Sequence, residues 1–244
     1  MFYIVKNINI IHEENIPGLQ PNAILPFRIS RDEAVDLVKK WLKGRALAPR
    51  NLVREILSKE CSGVYIPVFS FDSDTYSPYT IRYGVDYTVT VGSGKNAHVE
   101  TRTHWYVASG IVAKDFLDVQ VEVSKKITSK DLEKLDGFDC EDAKQYNKNF
   151  LYGYCAERYS SSLDSSWEEA KDLMKKLIRR EILSRYYYDR LDYVHFDTKF
   201  SDKKYMYVLC PIWIENYSYK GKEYKVLVNG RKEKLSGEYP KSGG

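Results

Sequence analysis

The chain has 244 residues, 43% hydrophobic and 14% aromatic with 21 tyrosines, a load that argues against disorder and suits half-buried sheet surfaces. A formal net charge of +4 is too slight to imply a nucleic-acid partner by itself. No apolar run approaches the roughly 18 residues of a membrane-spanning helix, and no charged-then-apolar leader opens the chain.

Cys61, Cys140, Cys155 and Cys210 are scattered, with no C-x-x-C pair, which disfavours a disulfide framework and a structural zinc site. A reducing, cytoplasmic setting is expected. Phe2 to Ile11 reads as a short strand, and Gly18, Pro21 and Pro26 make an extended connector. Ser30 with Glu33 forms a capping box that starts a helix running to about Arg45. Ala34, Val35, Val38, Trp41 and Leu42 mark one face of it, and Gly44 ends it. Pro49 opens a second short helix through Leu52, Ile56 and Leu57.

From Val64 the period changes to two. Val64 to Phe69 is strand-like, and Val85, Tyr87, Val89 and Val91 alternate with polar residues. Gly92-Ser93-Gly94-Lys95-Asn96 makes a turn, Val99 to Val107 returns, and Leu117 to Val123 adds another strand. Residues 129–149 become charged and helical, and Leu151 to Tyr159 is extended. Ser166 with Glu169 reads as a second capping box, and Trp167, Ala170, Met174, Leu177 and Ile178 recur at helical spacing. Strands follow near Tyr193–Phe200, Tyr205–Tyr217 and Tyr224–Val228, with Asn229-Gly230 as a two-residue hairpin signal.

Two helices thus each precede a Pro-aliphatic-aromatic run, Ile66-Pro67-Val68-Phe69 and Cys210-Pro211-Ile212-Trp213. The expected fold is α+β: two related units, each a helix packed on an antiparallel β-meander. Residues 1–29 would be a strand and connector, 30–127 the first unit, 128–164 a bridge, and 165–244 the second unit with a polar tail. Pro67 and Pro211 lack an N–H, so each is expected at a strand start, an edge or a bulge.

The search for chemistry yields little. Gly92-Ser93-Gly94-Lys95 resembles the end of a phosphate loop, but Val89 and Asn96 stand where the motif needs Gly and Ser or Thr. His98, Glu100 and His104 share one strand face, where neighbours are about 6.6 Å apart. One metal could bridge the first two but not all three. No G-x-S-x-G, H-E-x-x-H or C-x-x-C occurs. No cofactor, no metal and no catalytic residue are therefore expected, and the chain reads as a non-enzyme. The basic helix face of Lys175, Arg179, Arg180 and Arg185, with Tyr186, Tyr187 and Tyr188 after it, is the nucleic-acid candidate.

Several segments carry a family likeness: Leu19 to Phe27 with Ser30, Glu33, Ala34, Trp41 and Leu42; Gly63-Val64-Tyr65-Ile66-Pro67; Thr103-His104-Trp105-Tyr106; Leu151-Tyr152-Gly153-Tyr154 with Glu157; Pro211-Ile212-Trp213; and Val228-Asn229-Gly230 with Gly237 to Pro240. Over about residues 19–240 the chain resembles bacterial zinc-ribbon-containing proteins, often labelled primosomal or helicase-like. In that family a ribbon of paired cysteines precedes the Leu-Pro-Phe segment and membrane helices can follow the final Gly-x-x-Pro. The first residues here hold no cysteine and no membrane helix is seen, so neither zinc nor anchor carries over. The helicase label finds no nucleotide-binding loop. The resemblance implies an adaptor role beside membrane-stress proteins of the phage-shock and flotillin-like kind.

The leading expectation is a non-enzymatic scaffold that recruits a protein partner near the membrane, with Trp105, Tyr106, Trp213 and Tyr217 as contact candidates. The alternative is a nucleic-acid-binding accessory protein that uses the basic helix face.

Overall fold

In the computed structural model, residues 6–7, 19–45 and 61–240 are described. Most of the expected opening strand, the second short helix from Pro49 and the last four residues lie outside them. The elements are β1 (Lys6–Asn7), β2 (Ala23–Ile24), α1 (Arg31–Lys43), β3 (Cys61–Val91), β4 (His98–Glu122), α2 (Ser129–Lys134), β5 (Lys144–Gln145), β6 (Cys155–Ala156), α3 (Leu163–Ser184), β7 (Arg190–Phe196), β8 (Lys199–Tyr219), β9 (Lys222–Asn229) and β10 (Leu235–Gly237).

The expected pair of helix-on-meander copies is not what forms. Strand dominates, and the strands are hydrogen-bonded into a large mixed sheet. It includes parallel pairs, β2 with β8 and β3 with β6. Val64–Phe69 and Val85–Val91 belong to one continuous strand that runs through Pro67 and Pro78, and Val99 to Val121 belong to its partner. The compact units interleave in sequence. One takes the described residues of 1–71, 120–167 and 205–244; the other takes 72–119 and 168–204.

In the first unit β8 explains why its sequence is a continuous apolar run. Alternate residues point to opposite sides. Val208, Cys210, Ile212 and Ile214 enter a core with Leu25, Val64, Ile66, Leu132, Leu135 and Phe138. Trp213 and Tyr217 join Ala34, Val38 and Leu42 of α1, with Val226 and Val228. A strand covered on both faces has no polar side to show. The α1 capping box forms as its residues demand: Ser30 Oγ accepts from Glu33 N at 3.3 Å, and Glu33 Oε2 accepts from Ser30 N at 2.7 Å.

Four rings meet on the α1 side. Phe27 stacks on Tyr154 with centroids 4.4 Å apart, meets Tyr65 edge-on at 5.2 Å and lies 4.8 Å from Trp213. The indole of Trp213 donates to Ile29 O at 2.9 Å, so burial strands no polar group. Two glycines make room. A Cβ on Gly63 would sit 2.6 Å from the Tyr154 ring, and one on Gly230 would sit 2.7 Å from Pro211 O and 2.8 Å from Phe27.

Asn229-Gly230 is accordingly no two-residue turn. Asn229 is fully buried and its amide donates to Leu135 O and Gly137 O at 3.0 and 2.8 Å. Gly230 donates to Pro211 O and accepts from Arg28 and Ile29. The tight turn is Lys220-Gly221, both with positive φ (50° and 78°), closing β8 onto β9 at the Tyr219–Lys222 pair; this is the hairpin geometry that favours glycine. Arg231, with its side chain 5% exposed, donates to Pro26 O and to Asp142 at 2.9 and 2.8 Å, and Arg28 meets the same carboxylate at 3.0 Å. On the opposite side Asp131 Oδ2 accepts from Thr128 N and Oδ1 from Ser236 Oγ, tying the start of α2 to β10.

Gly230→Ala should lower unfolding free energy by about 2 kcal/mol, because the new methyl meets backbone that cannot repack freely. Gly44→Ala, where the nearest atom lies 3.6 Å from the added Cβ, should stay within about 0.5 kcal/mol of the parent. Urea titration of both variants reads the contrast.

Candidate binding surface

In the second unit the strand period of two is expressed cleanly. Ser73, Thr75, Ser77, Tyr79 and Ile81 of β3 are buried, whereas Asp74, Tyr76 and Pro78 between them are exposed. The buried alcohols are satisfied: Ser73 donates to Ser201 O at 2.9 Å, Thr75 to Lys114 O at 2.7 Å, and Ser77 pairs with Thr198 at 2.8 Å. Ala170, Met174, Ile178 and Ile182 form the buried stripe of α3, spaced as a helix face requires. Lys114 meets Glu181 at 3.6 Å, Arg185 donates to Ile111 O at 2.9 Å, and the Tyr79 and Tyr186 hydroxyls are 2.9 Å apart. These contacts hold α3 and the segment after it against one face of the strands. Burial, then the hydrogen bond with Tyr79, pushes the Tyr186 phenol up to about 12.

Helix α3 starts a turn before the expected Ser166. It opens at Leu163, where Ser162 Oγ accepts from Ser165 N at 3.0 Å, and Ser166 is buried with its hydroxyl donating to Ser162 O.

Among the described residues no helix covers the other face. Alternation places Tyr76, Thr80 and Arg82 of β3 there with Trp105, Val107, Ser109, Ile111 and Leu117 of β4. Printed contacts fix the pairing: Thr80 and Ser109 hydroxyls lie 3.2 Å apart, and the Arg82 guanidinium stands 4.9 Å over the Trp105 ring. Arg82 also binds Asp192 of β7 at 2.5 Å. Gly84 leaves space for Thr103 and the indole, since a Cβ there would lie 2.4 Å from the Thr103 methyl and 3.3 Å from the Trp105 ring. Trp105 is 40% exposed, Val107 63% and Leu117 74%.

Two polar clamps edge this face. Asp86 accepts from Thr103 Oγ1 at 2.6 Å and Arg190 Nε at 2.9 Å, while Asp86 N donates to Asp189 at 2.8 Å. Arg190, then Thr103, holds the Asp86 carboxyl below its usual range, and Asp86 raises Arg190 in return. An open depression of about 590 Å³ is lined by Pro78, Thr80, Ser109, His195 and Asp197 among others. Its residue types suit nucleophilic catalysis, but a nucleophile needs its base within hydrogen-bond reach. Ser109 pairs with Thr80, and the His195 ring stacks on Tyr193 at 4.7 Å.

The candidates named from sequence do not come together. Trp105 lies on the open face. Tyr106, 44% exposed, projects from the opposite side of β4, stacked on Tyr83 at 5.4 Å with His104 at 4.6 Å. Trp213 and Tyr217 are core residues of the first unit, the latter donating to Glu238 O at 2.9 Å. On α3, Lys175, Arg179 and Arg180 are exposed and make no ion pair among the described residues. Arg185 is engaged by Glu181 at 2.9 Å, by Ile111 O and by the Tyr79 ring. His98 binds Glu100 at 3.1 Å, and no three potential ligands gather for a metal among the described residues. Arg82 and Asp86 carry no signal in the sequence, whereas Arg190 reads there as part of the basic run after α3 and Asp192, with Asp189, as a solvated carboxylate cluster. Alternation puts Arg82 and Trp105 each on a face, but their meeting needs the register.

No family model matches the chain. It is 28% identical over 229 residues to YdjG of Bacillus subtilis (strain 168), itself described as uncharacterised; the match takes in 93% of this chain and 65% of that protein. The chain thus spans less than two thirds of that relative. No solved structure matches it.

The Asp86 clamp has a signed pH dependence. A carboxyl lowered in the folded state stabilises above its unfolded pKa and loses that contribution as pH falls through the folded value. In a carboxyl-carbon NMR titration, Asp86 should titrate below the ordinary carboxylate range. Arg190→Leu should return it toward that range, and an unmoved midpoint would deny the clamp.

Proposed function

We propose that this chain is a non-enzymatic binding module that recruits a protein partner through the open face of the second unit's strands. The observation that carries the reading is that face: Tyr76, Trp105, Val107, Ile111 and Leu117 stand at water in one strip, rimmed by Arg82, Asp192 and Arg190. Contiguous exposed apolar surface with a polar rim is the usual mark of an interaction site. Trp105 beneath Arg82 has the character of an anchor, since Trp and Arg dominate binding hot spots.

The resemblance to the zinc-ribbon-containing family supports an adaptor role, with the chain held in the cytoplasm beside the membrane by its partner. No helix among the described residues is long and apolar enough to cross a membrane; in this reading a partner supplies the attachment. Nucleic-acid binding on α3 is the weaker reading. Arg185 is committed to internal contacts, and Glu168 and Asp172 share the helix with the remaining cations.

With lysate of the source cell as bait mixture, a protein should be retained by the wild-type chain. Trp105→Ala combined with Val107→Glu should weaken that retention by about 30-fold or more, as removal of a hot spot does. Circular dichroism should show the variant still folded, with a melting temperature lowered by at most several degrees for the loss of the half-covered indole. Retention unaffected by the pair, or no protein retained at all, would refute the reading.

A further inference from the structure

β7 pairs with β3 only as far as Gly84↔Arg190, and β4 pairs only with β3 among the described residues. Residues 85–91 and 98–104 are therefore a two-stranded ribbon, closed by the turn at residues 92–97. Both its faces meet water: Tyr87 is 46% exposed and Val99 67%, with Trp105 and Tyr106 at its base. A lone two-stranded ribbon is marginal in water. An edge strand without proline, such as residues 98–107, is a template for another strand. From Val99 to Val107 the fully charged residues are Glu100 and Arg102, which meet each other within the chain at 3.2 Å with His98 on the same carboxylate at 3.1 Å, so pairing across copies exchanges these exposed contacts for cross-strand ones.

We propose that the outer edge of β4 pairs antiparallel with the same edge of a second copy of this chain, about a two-fold axis through Thr101. A closed dimer needs a self-complementary patch, and this register provides one. Glu100 of each copy faces Arg102 of the other, Val99 faces Thr103 and His98 faces His104, while Val107 lies beyond the paired stretch because its counterpart falls in the turn; no like charges oppose at neutral pH. Opposite charges directly across a ladder stabilise and like charges destabilise. Backbone donors and acceptors on the outer edge of residues 98–104, which have no strand partner there among the described residues, become ladder hydrogen bonds. The contact uses the strand edge and not the open face, so it goes beyond the recruiting role and does not depend on it.

The test uses the full chain in a Cys155→Ser background, since Cys155 is the exposed thiol among the described residues. Thr101→Cys should form a disulfide-linked dimer under mild oxidation, because facing residues sit within bridging distance. Val107→Cys should not. In sedimentation equilibrium the wild type should dimerise at micromolar concentration. Glu100→Arg alone and Arg102→Glu alone should each raise the dissociation constant about tenfold or more. The double exchange should restore it, which misfolding could not do. A monomeric wild type, equal cross-linking at Thr101 and Val107, or no restoration by the double exchange would overturn the proposal.

Discussion

The first unit depends on one close approach: Phe27, Tyr65, Tyr154 and Trp213 can share a buried site only because Gly63 and Gly230 carry no side chain there. Edge-on and offset rings contribute beyond the area they bury. Gly230 lets the backbone at Pro211 and the ring of Phe27 both approach its Cα, and Gly63 does the same for the Tyr154 ring. From that point the rest follows. Phe27 fixes the connector that feeds β2 and α1, Tyr65 and Trp213 fix β3 and β8, and Tyr154 fixes the segment beside β6. The family-like segments, Leu-Pro-Phe, Gly-Val-Tyr, Leu-Tyr-Gly-Tyr, Pro-Ile-Trp and Asn-Gly, are to this extent the parts of a single core.

The second unit is built on a different principle. One face of its strands is covered by α3 and tolerates Ser73, Thr75 and Ser77 because each hydroxyl has a partner. The opposite face stays at water and keeps apolar side chains that burial elsewhere would have absorbed. Polar clamps at Asp86 and Arg82 order the strands without filling that face.

Local signals were legible and long-range ones were not. Ser30 and Glu33 announce α1 because both bonds of a capping box are made by residues three apart. The alternation of Val85 to Val91 announces a strand for the same reason. Ser166 and Glu169 misled because Ser162 and Ser165, a turn earlier, offer the backbone an equal cap. Asn229 looked like a turn residue, yet its amide is consumed by carbonyls near residue 136, which no local pattern discloses. The apparent repeat arose from two Pro-aliphatic-aromatic runs. Pro67 belongs to a 31-residue strand, and Pro211 to a strand buried on both faces next to a parallel neighbour from the other end of the chain. Trp105 could be placed on a surface from parity alone, but Arg82 over its ring needed the strand register.

Native-state hydrogen exchange tests most directly whether the four-ring cluster is the feature that holds the first unit together. The slowest amides of that unit should be those of Tyr65, Ile212, Trp213 and Val226 to Val228, beside the rings, and Phe27→Ala should accelerate them as a group. If they exchange no more slowly than the amides of α1 and β10, or if Phe27→Ala leaves them unchanged, the cluster does not have the role assigned to it.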